Sequence, residues 1–169
     1  MASQSHMRMK ACLFMIAVLV CLGPVCAPGR ASQHVAKPDD PSSHGIVNPD
    51  GLKWEPFLGP VQVAVVSGDP SQAGPFVLRA KIPAGATVPP HWHPVDENLT
   101  VLEGKLAVGM GDAFDASKLT VMERGDFIQM RAKTNHYTKA VTDVVAQIHG
   151  TGPFAIIFVN PADDQRLKK

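Results

Sequence analysis

The sequence predicts an all-β domain (a sandwich, a barrel or a jelly roll), and three observations support this class. About nine short apolar segments follow one another, several with apolar and polar side chains alternating as in half-buried strands. Glycine, proline and aspartate separate these segments, and the 169 residues include 15 Pro and 14 Gly. Runs of helix-forming residues are scarce, which argues against a helical bundle.

The predicted strands begin after residue 60 and are joined by turns. Glu103-Gly104 and the tripeptide at 124–126 are typical hairpin connections, and the stretch 112–118 favours a single helical turn. In chain order, the nine predicted strands are 61–65, 76–82, 98–102, 105–108, 119–123, 127–130, 137–141, 144–148 and 154–159.

A cleaved targeting segment is predicted at residues 1–27. Arg8 and Lys10 precede an apolar run at 11–22, and a Gly-Pro pair separates that run from Ala27, the expected cleavage position. The run is shorter than the ~20 apolar residues of a membrane-spanning helix. We therefore expect a secreted or periplasmic protein that has no membrane association after cleavage.

Removal of this segment changes the composition in two ways. All three cysteines (Cys12, Cys21 and Cys26) lie within it, so the mature chain would have no disulfide, no thiolate ligand and no cysteine nucleophile. Its formal charge would change from +1 to −1. A charge so close to zero gives no basis for a nucleic-acid partner.

The mature chain is predicted to have three parts. Residues 28–60, rich in Pro, Ser, Asp and Gly, are expected to form an extended N-terminal arm, whose end Trp54, Phe57 and Leu58 would pin to the core. Residues 61–160 form the β domain. Residues 161–169 are a C-terminal tail, in which we expect the polar residues 163–169 to be frayed.

His91 and His93 are the first candidate metal ligands. Side chains two residues apart point to one face of a strand, whereas on a helix they diverge by about 200°. Pro89, Pro90 and Pro94 exclude a helix here. Both imidazoles can therefore reach one ion.

Glu97 and His136 complete the candidate set. A straight strand would place Glu97 about 13 Å beyond His93, so both can bind one ion only if the chain bends at residues 94–96. His136 is available from a later hairpin. Three neutral imidazoles and one carboxylate suit a divalent transition ion. The sequence favours copper outside the cytoplasm and leaves manganese, iron, nickel and zinc open.

The stretch from Gly85 to Gly104 resembles the first motif of the cupin superfamily. That motif reads Gly, five residues, His-x-His, three residues, Glu, six residues, Gly, and Gly85, His91, His93, Glu97 and Gly104 match every position. A second cupin motif matches at Gly125 and His136. It departs at three positions, with Arg131 in place of proline, Lys133 in place of glycine and Ala140 in place of asparagine.

The resemblance covers about residues 60–160 and implies a double-stranded β-helix, or jelly-roll barrel. It also implies a metal held inside the barrel by His91, His93, Glu97 and His136, and a homodimer.

The predicted function is an oxidoreductase that uses dioxygen or peroxide on an extracellular substrate, either a small phenolic compound or a plant polysaccharide. The resemblance also implies the oxidation of small acids as a candidate reaction. Glu97 would stay bound to the ion or release and act as a base. His149 is a candidate acid or base near the ion, with a surface histidine as the alternative. A non-catalytic metal or carbohydrate binder and a metal-dependent isomerase or lyase remain open. The last would need a further base, for which His149 and Tyr137 are available.

Overall fold

The computed structural model describes residues 45–167, and the predicted leader lies outside them. This part of the chain forms eleven strands that pair in antiparallel fashion. The strands are β1 (Glu55–Leu58), β2 (Val61–Ser67), β3 (Gly74–Ile82), β4 (Thr87–Trp92), β5 (Glu97–Glu103), β6 (Leu106–Met110), β7 (Thr120–Met122), β8 (Phe127–Met130), β9 (His136–Ala140), β10 (Val144–Gly152) and β11 (Ile157–Phe158).

The strands form two sheets with the core between them. The first sheet has six strands in the order β1-β2-β3-β10-β5-β8, and the second has five in the order β11-β4-β9-β6-β7. Consecutive strands from β4 to β6 and from β8 to β10 alternate between the sheets, which is the topology of a jelly roll. The predicted all-β fold class and jelly-roll barrel are confirmed.

The alternation in the sequence explains which side chains enter the core. In β3, Phe76, Leu78, Ala80 and Ile82 are buried, while the residues between them are partly or fully exposed. β5 and β10 lie beside each other in the middle of the first sheet, and their inward residues Val101 and Ala146 are completely buried. Burial of this apolar face drives the two sheets together.

Four short 3₁₀ helices complete the described chain: Pro49–Gly51, Ala116–Lys118, Pro161–Asp163 and Gln165–Leu167. The helical turn predicted within 112–118 is confirmed at Ala116–Lys118. In the range 45–167, no helix has the length and apolar character needed to cross a membrane.

The structure corrects both predicted ends of the β domain. β1 lies inside the predicted arm and pairs with β2, so the sheet begins at Glu55 rather than at residue 61. The tail is not frayed as far as Leu167, because Arg166 forms an ion pair with Asp164 and donates a hydrogen bond to the carbonyl of Ile156. Neither end shows a clear alternation in the sequence, which is why the pattern did not predict their pairing.

Candidate metal centre

A break in the pairing of β4 with β9 sets the position of His91. The register shifts between Val88 and His91, where Pro89 and Pro90 lie, and beyond the shift His91 stands directly opposite His136. Proline has no backbone N–H to contribute to the ladder, so this pair suits an irregular pairing. The irregularity places two imidazoles side by side on adjacent strands.

The bend predicted at residues 94–96 is confirmed, because the chain leaves the second sheet after Trp92 and enters the first sheet at Glu97. Asp96 fixes this bend to the loop before β9. Its carboxylate accepts hydrogen bonds from the Ala132 backbone N–H at 2.8 Å and from Arg131 Nη1 at 3.2 Å. Arg131, which replaces the proline of the second motif, thus contacts the bend directly.

Lys133 strengthens the same connection at some conformational cost. Its backbone N–H donates to the carbonyl of His93 at 2.8 Å. Its φ is +62°, the left-handed region that glycine adopts readily and other residues rarely do. The glycine usual at this position of the second motif therefore has a conformational reason, and this chain meets the same backbone geometry with lysine.

The structure brings all four predicted ligand residues together. His91, His93 and His136 have ligand atoms within 4.8 Å of one another. Glu97 Oε2 lies 3.0 Å from His93 Nε2 and 3.4 Å from His136 Nε2. All four side chains are at most 5 % exposed.

Each imidazole is oriented by a backbone carbonyl at its other nitrogen. Nδ1 of His91 lies 2.7 Å from the carbonyl oxygen of Pro89, Nδ1 of His93 lies 2.7 Å from that of Ala155, and Nδ1 of His136 lies 2.9 Å from that of Thr134. A carbonyl only accepts, so these contacts assign the proton of each neutral ring to Nδ1. The three Nε2 lone pairs are thereby left for a ligand.

The electrostatics of the cluster keep His91 neutral and Glu97 ionised. Burial, reinforced by the nearby His136, lowers the pKa of His91 from 6.5 to about 3. Burial alone would raise the pKa of Glu97, but hydrogen bonds and positive charge from His136 and His93 outweigh that effect and lower it from 4.5 to about 2, a lowering that holds only where a proton or a cation lies between the carboxylate and the imidazoles. Neutral imidazole and ionised carboxylate are the forms that bind metal ions.

Two atoms at the centre of the cluster have unmet bonding capacity. His93 Nε2 and Glu97 Oε2 are buried and have no hydrogen-bond partner. Between a neutral imidazole and a carboxylate both atoms are acceptors, so they satisfy each other only if a proton or a cation lies between them. A divalent transition ion would supply that charge, and the three buried histidines could hold it.

The cluster faces a cavity of about 340 Å³ between the two sheets. Phe154 forms part of its wall and stacks on the His93 ring, with centroids 4.3 Å apart and planes inclined by 21°. Among residues 45–167, the only polar side chains that line the cavity besides the four candidate ligands are Thr138 and Arg166. Sequence reasoning missed Phe154, Thr138 and Arg166, since none carries a motif signal.

His149 and Tyr137, the two candidate additional bases, are not brought to this cavity. His149 follows Ile148 on β10; Ile148 lines the cavity, and the next side chain points to the outer face of the sheet. Tyr137 points away from its neighbour His136, and its hydroxyl donates to the carbonyl of Asp115 at 3.1 Å. The proposed role of His149 beside the ion is therefore not supported by its position.

Comparisons with known proteins agree with this architecture. The RmlC-like cupin from Shewanella frigidimarina superposes with a TM-score of 0.53 at 16% identity, over 64% of this chain and 91% of that protein. A candidate acetylacetone dioxygenase from Methylibium petroleiphilum gives 0.56 at 19% identity, over 72% and 84%. The polyketide cyclase RemF from Streptomyces resistomycificus gives 0.57 at 14% identity, over 75% and 94%.

These identities are low enough that the superpositions establish the fold alone. No curated protein sequence matches the chain. The Cupin domain family, however, matches residues 78–152, which include His91, His93, Glu97 and His136. With that match, the jelly-roll topology and the structural likeness, this chain belongs to the cupin superfamily.

Proposed function

We propose that this chain is a metal-dependent oxidoreductase in which His91, His93, Glu97 and His136 hold one divalent transition ion. The observation that carries the proposal is the convergence of three imidazoles, each held at Nδ1 by a backbone carbonyl, and one carboxylate on the wall of an apolar cavity. Such a donor set binds copper most tightly among the first-row divalent ions, so copper is our first candidate. Manganese, iron, nickel and zinc are the alternatives.

The lining of the cavity favours a small, mostly apolar substrate. A sugar ring would bring several hydroxyl groups into a space where, besides the ligands, only Thr138 and Arg166 offer polar side chains. Burying hydroxyls without partners is costly, whereas an aromatic ring fits a wall of valine, leucine, isoleucine and phenylalanine. Between a phenolic compound and a plant polysaccharide, we therefore favour the phenolic compound as the substrate.

The residues around the cluster have definable roles in such a reaction. The three carbonyl-bound imidazoles keep their Nε2 atoms fixed, and the two sheets exclude bulk water from the ligands. Glu97 Oε2 is a ligand or, when displaced, an acceptor for a substrate hydroxyl proton. The bound ion would supply a redox-active centre where dioxygen or peroxide and substrate meet.

An isomerase or lyase is the less favoured function. It needs a general base beside a carbonyl-polarising ion. Among the cavity-lining residues of the described chain, Glu97 is the only base outside the three histidines, because Tyr137 and His149 point elsewhere. Because the fold is similar to that of the polyketide cyclase RemF, the experiment below also tests this alternative.

Two further elements of the proposal come from the sequence. We expect export on the basis of residues 1–27, which fits a metal acquired outside the cytoplasm. We also expect a homodimer, as is common in the family.

The test is metal analysis of the purified protein, followed by reloading with each of the five candidate ions. Oxygen and peroxide consumption are then measured with a panel of phenolic compounds, with zinc-loaded protein as the redox-inert control. We expect one ion per chain and turnover with at least one redox-active ion. Stoichiometric binding without consumption by any loaded form would indicate a binder or an isomerase, and the absence of binding would reject the ligand set.

A further inference from the structure

Arg166 lies between an edge of the first sheet and an edge of the second. β1 is one edge strand of the first sheet, and β11 is one edge strand of the second. The Arg166 guanidinium carbon lies 5.6 Å from the ring centroid of Phe57 on β1 and 5.7 Å from that of Phe158 on β11. The guanidinium therefore bridges two aromatic rings at the rim of the cavity.

The hydrogen bonds of Arg166 fix its orientation and use only part of its capacity. Nε donates to Asp164 Oδ1 at 2.7 Å, and Nη2 donates to Asp164 Oδ2 at 2.8 Å and to the carbonyl of Ile156 at 3.3 Å. A guanidinium has five N–H donors. The two on Nη1 have no acceptor among residues 45–167.

Within the described part of the chain, Arg166 is also the only lysine or arginine that lines the cavity. Its side chain is 36 % exposed, so it meets both the cavity and the solvent. A guanidinium that is already stacked and ion-paired loses little freedom when it binds a further anion. Asp164 occupies the fork formed by Nε and Nη2, so a further carboxylate would accept its hydrogen bonds from Nη1.

We propose that Arg166 is a specificity-determining residue that binds the carboxylate of an otherwise apolar substrate through Nη1. This deepens the proposed function, on which it rests for the reaction, by naming the substrate class as a small phenolic compound that also carries a carboxylate. Asp164 stays on the opposite edge of the guanidinium as the positioning partner. Because the Arg166–Asp164 pair is neutral overall, selectivity comes from directed hydrogen bonds rather than from long-range attraction.

The experiment compares 3-phenylpropionate with its amide, 3-phenylpropanamide, in NMR titrations of the metal-free protein. The wild type should bind the acid at least about tenfold more tightly than the amide, because hydrogen bonds to charged groups are the stronger kind. Arg166→Gln should lose this preference while keeping its affinity for the amide, and Arg166→Lys should retain part of it. Lys105→Gln is the matched control, because Lys105 forms a surface ion pair with Glu123 instead of lining the cavity.

Several outcomes would overturn the proposal. The first is a wild type that binds the acid and the amide equally well, and the second is a preference for the acid that survives in Arg166→Gln. The third is an equal loss of acid and amide binding in Arg166→Gln, which would mean that Arg166 only maintains the structure of the cavity. Metal stoichiometry, measured on the same variants, should be unchanged in Arg166→Gln. If it falls, Arg166 acts through Ile156 on the segment that orients His93, and the specificity role is rejected. If the wild type binds no metal, the proposed function fails while the acid–amide comparison still decides this proposal.

Discussion

Nε2 of His93 and Oε2 of Glu97 lie 3.0 Å apart, buried and without any hydrogen-bond partner. Because Nδ1 of His93 is committed to the carbonyl of Ala155, a neutral His93 presents a lone pair to the carboxylate. Unless a proton or a cation lies between them, the metal-free protein holds two acceptors face to face. This arrangement costs stability in the absence of an ion and contributes to binding in its presence.

Replacing Glu97 with glutamine should separate these two effects. The amide of Glu97→Gln can donate a hydrogen to His93 Nε2, so we expect the metal-free variant to have a higher Tm than the metal-free wild type. Its metal affinity should fall by at least about tenfold, because a neutral amide replaces an anionic ligand. Calorimetric unfolding and metal titration measure the two quantities.

Glu123→Gln is the control for this substitution, since Glu123 is an exposed acid paired with Lys105 and should influence neither quantity. A lower Tm for metal-free Glu97→Gln would contradict the prediction. It would mean that a protonated imidazole forms an ion pair with Glu97 in the absence of metal.

The histidine set predicts a clear division between two classes of variant. His91→Ala and His136→Ala should each abolish stoichiometric metal binding, since each removes one of three buried imidazoles whose ligand atoms lie within 4.8 Å of one another. His149→Ala should bind metal like the wild type, because His149 lies on the outer face of its sheet. Equilibrium dialysis with metal analysis distinguishes variants that lose metal binding from variants that keep it. Normal metal binding by His136→Ala would reject the match of His136 to the second cupin motif.

The fold could be predicted from the sequence wherever one face of a strand enters the core. β3 and β5 show this alternation plainly, and both were predicted within a residue or two. β1 is four residues long and carries Pro56 beside Phe57 and Leu58, so it offers no alternation to detect. Its pairing depends on the neighbouring β2, and such a tertiary contact leaves no local signal.

The candidate ligands could be predicted because their spacing is constrained by a single bend. His91, His93 and Glu97 follow one another within seven positions, and Pro94 between them indicates where the chain must turn. Arg166 reaches the cavity from a separate segment of the chain, through contacts with Phe57 and Phe158. The sequence places His149 just after a strand at 144–148, whereas β10 continues to Gly152 and its alternation directs His149 to the outer face of the sheet.

Lys133 offers a test of backbone strain next to the candidate metal centre. Its φ of +62° is unfavourable for lysine, whose side chain is exposed, and favourable for glycine. Lys133→Gly should therefore increase the free energy of unfolding, by up to about 1 kcal/mol, and leave metal stoichiometry unchanged. Lys118→Gly is the control; Lys118 ends a 3₁₀ helix, and glycine should lower stability there. Equal destabilisation of both variants in urea would contradict this explanation of Lys133.

The pKa of His91 predicts how the metal-free protein responds to acid. The folded state holds this pKa at about 3, against 6.5 for an ordinary imidazole, so between these pH values the unfolded chain binds a proton that the folded chain does not. The free energy of unfolding should therefore be fully retained above pH 6.5. It should fall with decreasing pH, by up to about 1.4 kcal/mol per pH unit.

Glu97 acts in the same direction at lower pH, since its pKa is lowered from 4.5 to about 2. Urea midpoints measured from pH 7.5 to pH 4 test this dependence. His91→Gln, which carries no titratable group at this position, should show a shallower decline than the wild type between pH 6.5 and pH 4.5, where Glu97 does not yet contribute. A wild-type midpoint that stays constant across that interval would mean that His91 is protonated as readily in the folded state as in the unfolded one, against its burial of 96 %.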